Sequence, residues 1–245
     1  MRKKIKSLLS ISLLGIYENL RKKKQLKQRF ANQQRLIADY IKNNTVKKLQ
    51  IGCGSNLLDG WLNTDLEDNV NIAHLDAGGI FPIASESFDF VYSEHLFEHL
   101  TPKQQINMLQ ESHRILKPGG VLRIATPSID FLFKLYAFPE LPEHIAYTKW
   151  AMENIPRLDF AKNAVKDASQ HHIYLINNFF KAWGHQNILD IKSISSLAKE
   201  NGFSKVTVRE VGESQSTDLQ NIEKHGTIIP PQFNLLETMI VEIVK

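Results

Sequence analysis

The residues best suited to chemistry are histidines and acids in two short groups. Glu94-His95-Leu96-Phe97-Glu98-His99 sets two imidazoles at i and i+4. On a helix that spacing puts both rings on one face. It lacks the His-Glu-x-x-His order of a zinc hydrolase, so no metal is expected from it. The chemistry it suggests is proton removal from an acceptor by an imidazole. His95 is the stronger candidate because it lies nearer the end of the strand before it. His99 suits helix capping or packing at least as well. The second group is Trp183-Gly184-His185, downstream of Asn177-Asn178-Phe179-Phe180. Its aromatics suit packing first, but they can also wall an acceptor pocket, with His185 as a further base. His144 is a weaker candidate.

A ligand loop is legible upstream. Gly52-Cys53-Gly54 follows Lys48-Leu49-Gln50-Ile51, which reads as a strand. Glycine lets a backbone turn sharply and lets a ligand approach the main chain. Asp65 ends the next strand and suits ribose hydroxyls; Asp76 ends the third and suits an adenine amino group. Asp65 comes 13 residues after Gly52, against about 20 for a dinucleotide site. Ser55-Asn56 stand where a third glycine would be, so the pyrophosphate cradle is incomplete. Cys53, the single cysteine, reads as a small packing residue and not as a nucleophile.

The elements that must position these residues alternate between short apolar runs and helical stretches, the mark of a parallel sheet. Strands are expected at 48–51, 61–64, 72–75, 88–92, 121–125, 205–211 and 238–244. A helix is expected over 102–116, with Ile106, Leu109, Ser112, His113 and Leu116 at helical spacing, stopped by Lys117-Pro118-Gly119-Gly120. Another is expected over 194–201. Residues 127–187 read as a helical insertion over the strand ends, on the acceptor side. The predicted division is an extension over 1–46 and one domain over 47–245. At 42% hydrophobic residues, the chain can bury a sizeable core. One cysteine fits a reducing, cytoplasmic setting.

The net charge of +4 hides an asymmetry. Residues 1–48 hold fourteen Lys and Arg against Glu18 and Asp39, a net +12, which leaves −8 on the rest. A basic nucleic-acid surface on the main domain is therefore disfavoured. Ile5, Leu9, Leu13, Ile16 and Leu20 form one helical stripe flanked by lysines. The stripe suits packing on the domain or a second copy, or peripheral contact of residues 1–24 with an anionic membrane face. It is too short to span a bilayer.

In sequence the chain resembles the class I S-adenosylmethionine (SAM)-dependent methyltransferases, within the predicted methyltransferase branch of the type-11-like group. Linked motifs in order carry the resemblance: residues 51–65, residues 88–99 and Glu111 to Gly120, with about residues 47–126 covered well and Asn187 to Phe203 more loosely. It implies a Rossmann-like, seven-stranded, mostly parallel sheet with the last strand antiparallel and helices on both faces. It implies SAM as cofactor, with Gln50, Gly52, Cys53 and Gly54 at the methionine part. Asp65 and Leu66 would take the ribose, Asp76 and Ala77 the adenine, and Ser93 and Glu94 the methyl-donor side. The expected activity is methyl transfer to a small-molecule or glycan-type acceptor, the glycan suggested by the family's association with surface-polysaccharide pathways. Gln50 stands where the family has an acid, and the first crossover helix is nearly absent. Both features support a second reading, a SAM-fold binding or regulatory protein without catalysis.

Overall fold

The computed structural model describes residues 2–67 and 69–245, with the backbone alone for 2–18. Its centre is a seven-stranded sheet. In chain order the strands are β1 (Lys48–Ile51), β2 (Leu62–Asp65), β3 (Ala73–His74), β4 (Phe88–Glu94), β5 (Leu116–Pro127), β6 (Lys205–Arg209) and β7 (Thr238–Val244). Their spatial order is β3-β2-β1-β4-β5-β7-β6. Leu49 of β1 pairs in parallel with Leu62 on one side and Val91 on the other. β7 runs antiparallel to both β5 and β6. The order reverses between β1 and β4, which opens a crevice at the carboxyl ends of those strands.

Lys117-Pro118-Gly119-Gly120 is not a free turn before β5. It lies inside the strand as an irregularity: Phe88 pairs with Leu116, and the next paired residues are Phe90 and Val121. Gly119 takes φ +77 there, a conformation glycine reaches without strain.

Helices cover one face of the sheet. They are α1 (Arg2–Asn43), α2 (Pro102–Ile115) and α7 (Ile191–Glu200). The core beneath them joins Ile37, Met108, Leu109, Ile115, Ile194 and Ala198 to Leu49, Val91, Leu122 and Val241 of the strands. α2 starts on a capping box: the Thr101 hydroxyl accepts from Gln104 N–H, and the Gln104 side chain accepts from Thr101 N–H. Its buried face is Gln105, Met108, Leu109, Ser112 and Ile115. The expected stripe through Ile106 and His113 is thus rotated, because Gln105 turns inward to bond the Phe97 carbonyl at 2.8 Å.

Among the described side chains of α1, only those near its end join the domain. Gln33 and Ile37 are buried, and the Tyr40 hydroxyl bridges Lys48 N–H and the Gly60 carbonyl at 2.9 Å each. Residues 19–31 stand in solvent, with Leu20 62% exposed. The side chains of Ile5, Leu9, Leu13 and Ile16 in the expected stripe lie outside the described residues.

Over the centre of the other face, Leu58, Trp61, Leu219 and Ile222 cover Tyr92, Ala125 and Ile240 with loop and 3-10 backbone. The β1–β2 connection is too short for a helical crossover, which takes a dozen or more residues. Arg123, fully buried on β5, holds this loop cover down. It donates to Glu223 at 2.6 Å, to Glu242 at 2.8 Å and to the Glu213 carbonyl at 2.8 Å.

Residues 129–181 fold into four helices: α3 (Ile129–Ala137), α4 (Pro142–Asn154), α5 (Asp159–Ala164) and α6 (His171–Lys181). With α8 (Pro231–Glu237) they share a second core around Phe131, Leu135, Tyr147, Leu175, Phe179 and Phe233. This core stands beyond the carboxyl ends of β4 and β5.

Glu111 on α2 fastens the β3–β4 loop. Its carboxylate accepts from Arg114 at 2.6 Å and from Phe81 N–H at 2.8 Å, while Arg114 reaches the Phe81 and Ile83 carbonyls. The Arg114 hydrogen bond holds the Glu111 carboxyl below its ordinary value, against the opposing effect of burial. That stabilisation is complete above the unfolded carboxyl value and is lost as pH falls through the lower folded value. Glu111→Gln is expected to cost about 1–2 kcal/mol at pH 7. Urea melts should show the difference shrinking below about pH 4; a difference constant with pH would refute the assignment.

Candidate active site

The glycine loop is held against β2 by main-chain bonds. Gly52 and Cys53 both donate to the Thr64 carbonyl, at 2.9 and 3.0 Å. Gly54 N–H donates to the Asp65 carboxylate at 2.9 Å. Gly52 and Gly54 sit at φ +70 and +50. A side chain at Gly52 would meet Leu96 at 2.9 Å, whereas at Gly54 nothing lies within 4 Å. Gln50 is buried under the loop; its amide donates to the Asn56 carbonyl at 3.0 Å, and its Oε1 has no hydrogen-bond partner among the described residues. Cys53 is buried too. Burial first, then the Asp65 charge, pushes its thiol up to about 11, which excludes a thiolate nucleophile at neutral pH.

The other expected residues of this half spread along the crevice. Asp65 also accepts from Glu67 N–H, and Leu66 is exposed. Asp76 is exposed and accepts from Gly78 N–H at 2.8 Å; Ala77 is buried beside it. Ser93 is fully buried, with no partner for its hydroxyl among the described residues. Glu94 departs from the expectation. Its carboxylate takes the main-chain N–H groups of Lys224 and His225 at 2.9–3.0 Å, so it anchors a distant loop.

His95 begins the second half of the site. It follows β4 at φ +46, which turns the chain out of the strand and rules out a shared helix face with His99. His99 lies instead in the 3-10 turn Phe97–His99. The His95 ring bonds Glu98 through Nδ1 at 3.1 Å, and its Nε2 is buried without a partner among the described residues. Burial, the largest single effect, would lower the His95 pKa, but the Glu98 hydrogen bond together with the Glu98, Glu237 and Glu94 charges makes the net shift upward. Glu98 is fully buried, accepts also from the Thr126 hydroxyl at 3.0 Å, and is shifted downward because His95 outweighs burial.

His225 packs on His95 with ring centroids 3.7 Å apart, and its Nε2 bonds Glu237 at 3.0 Å. Tyr147 donates to the other Glu237 oxygen. Burial, then the Glu237 charge, raises the Tyr147 phenol far above its ordinary value, so it stays a donor. His99 meets His185 edge to face at 4.9 Å. Trp183 and Gly184, at φ +56 and +82, turn the chain so that His185 points back to this place.

These side chains surround one cavity of about 700 Å3. Tyr147, Trp150, Phe179 and Trp183 form apolar walls, and His95, His99, His185, His225, Glu98 and Glu237 supply the polar groups. The next residue after His95 is Leu96, which rests on Gly52, so the cavity and the glycine loop adjoin. His144 is not in the lining; it is buried near Phe131, bonded to the Phe138 carbonyl. Sequence reasoning missed His225, Glu237, Tyr147 and Trp150. Tyr147 and Trp150 share α4, but His225 and Glu237 come from two other places in the chain, and no local spacing links them to the α4 pair or to His95.

A family model described as a methyltransferase domain matches residues 60–124. No curated protein sequence matches the chain. Among solved structures, a SAM-dependent methyltransferase from Archaeoglobus fulgidus is 15% identical, with 89% of this chain and 94% of that one covered and a TM-score of 0.47. One from Mesorhizobium loti is 12% identical over 82% and 91%, with a TM-score of 0.46. One from Thermotoga maritima is 13% identical over 91% and 95%, with a TM-score of 0.42. These likenesses are too distant to carry an argument. The matched segment runs from the start of β2 through most of β5, across the strands that bear Asp65, Asp76 and His95. Residues 60–124 thus match a methyltransferase-domain model within a seven-stranded Rossmann-like sheet of the class I SAM-dependent methyltransferase type.

Proposed function

We propose that this chain is a SAM-dependent methyltransferase that methylates a hydroxyl of a small polar acceptor of the sugar type, with His95 as the base. The carrying observation is the His95 imidazole: Nδ1 is anchored on Glu98, and Nε2 is unpartnered beside the cavity. Anchoring one nitrogen fixes the tautomer and leaves the other as the proton acceptor. Aromatic walls with scattered imidazole and carboxylate groups suit a sugar ring and its hydroxyls.

The loop fits the methyl donor. Gln50 Oε1 is a buried acceptor without a partner, as an ammonium group would need. Gly54 leaves open space beside it, and each Asp65 oxygen retains a lone pair after its main-chain bond. Bound SAM supplies an electrophilic methyl group, so the protein's task is mainly alignment. The cavity walls orient the acceptor, Glu98 holds the His95 ring in place, and His95 takes the hydroxyl proton.

Two measurements test this reading. Asp65→Ala should weaken binding of SAM and S-adenosylhomocysteine by about tenfold, the worth of one charged hydrogen bond, in calorimetric titration. No binding to the unaltered protein would favour the non-catalytic alternative. With labelled SAM and a panel of sugar, lipid-linked and carboxylate acceptors, His95→Gln should lower kcat by about 10²–10⁴. SAM affinity should stay unchanged. Full activity in that variant would rule out His95 as base and point to an acceptor that needs none.

A second feature bears on location. The solvent-facing part of α1 carries Arg21, Lys22, Lys23, Lys24 and Lys27 beside exposed Leu20, Leu26 and Phe30. No described helix is long and apolar enough to cross a membrane. We propose peripheral contact of residues 1–30 with an anionic membrane face, where lipid-linked acceptors would be met. The full chain should co-sediment with anionic vesicles more than a chain lacking residues 1–30; equal sedimentation removes the idea.

A further inference from the structure

We propose that Glu98, His99 and His185 hold a divalent transition-metal cation of the zinc class at the acceptor cavity. One ligand atom from each of the three lies within 4.8 Å of the others. Two imidazoles and a carboxylate form a donor set suited to such an ion, and three protein ligands leave a position open for a bound molecule. Here the open side is the cavity, which all three residues line.

The arrangement is built by tertiary contacts. His185 Nδ1 faces the Phe179 carbonyl at 2.7 Å, so that nitrogen carries the proton and Nε2 keeps its lone pair. Histidine ligands are commonly oriented by such an outer bond. The Glu98 main-chain carbonyl accepts from Gln186 and Asn187 N–H at 2.8 and 3.1 Å. Those bonds staple the His185 loop to the 3-10 turn that bears Glu98 and His99. Trp183 in a left-handed conformation is costly for a non-glycine residue, and it turns the loop toward that turn. Neither His99 nitrogen has a hydrogen-bond partner among the described residues. Glu98 has spare lone pairs after its bonds to His95 and Thr126.

A second triad, His95, His225 and Glu237, is also within ligand distance. Its groups are more engaged with one another: His225 bonds Glu237, and the His95 and His225 rings pack with centroids 3.7 Å apart at a tilt of 34°. We therefore place the ion on the first triad. Its role, which rests on the acceptor reading above, is to bind an acceptor oxygen and make its hydroxyl more acidic. Metal binding itself does not depend on that reading.

The test uses the full chain after chelator treatment, titrated with Zn2+ by calorimetry and with Co2+ by visible absorption. One equivalent should bind, and Co2+ should show the ligand-field bands of a low-coordinate site. His99→Ala and His185→Ala should each weaken binding by at least about tenfold, the least that even an outer-shell change costs. His113→Ala should leave it unchanged, because His113 bonds Gly202 on the far side of α2. SAM titration of the same variants reports whether they are folded, and His99→Ala carries the test if His185→Ala is not. No stoichiometric binding would overturn the proposal. So would binding lost in His225→Ala but kept in both triad variants. If SAM fails to bind while the metal binds, the methyltransferase reading fails and the metal site stands.

Discussion

The buried Glu98 carboxylate is the interaction on which the site depends. Its two oxygens hold His95 and Thr126, and its main-chain carbonyl holds Gln186 and Asn187. One residue thus joins the end of β4, the end of β5 and the loop that leaves the helical insertion. An unpaired carboxylate at this depth would cost several kcal/mol, so the surrounding groups must converge on it. That requirement places His95 and His185 in one cavity although 90 residues separate them.

A second buried charge shapes the opposite face of the sheet. With no helix between β1 and β2, Tyr92 and Ala125 need another cover, and the chain over 211–224 supplies it. Loops carry main-chain polar groups that must be satisfied. Arg123 meets part of that need by taking the Glu213 carbonyl, and it takes Glu223 as well, whose other oxygen accepts from Gly212 N–H. Glu94 then catches the next turn at Lys224 and His225. The loop cover therefore does more than shield the core: it delivers His225 onto His95. The missing crossover helix, which on sequence alone counted against an enzyme, makes room for a loop that contributes to the cavity.

Gln50 can be viewed in the same way. In place of an acid it offers one amide to the Asn56 carbonyl and leaves its oxygen unused. That oxygen is the buried acceptor proposed above for the donor's ammonium group.

The sequence by itself determined the elements. Apolar runs of four to seven residues between turn signals read as buried strands, and the bounds of β1 and β7 follow from that. The glycine pair and Asp65 were legible because they lie close in sequence and their backbone demands are local. The buried face of α2 was not, because Gln105 is polar and turns inward only to meet the Phe97 carbonyl. The same holds for Glu94, which looked like a cofactor residue until a loop 130 residues away claimed its carboxylate. His95 and His99 read as one helical pair, and only the left-handed turn at His95 separates them into two clusters. Periodicity reports which face of an element prefers water. It cannot report which distant carbonyl, carboxylate or ring will satisfy a polar side chain, because that partner exists only once the chain has folded.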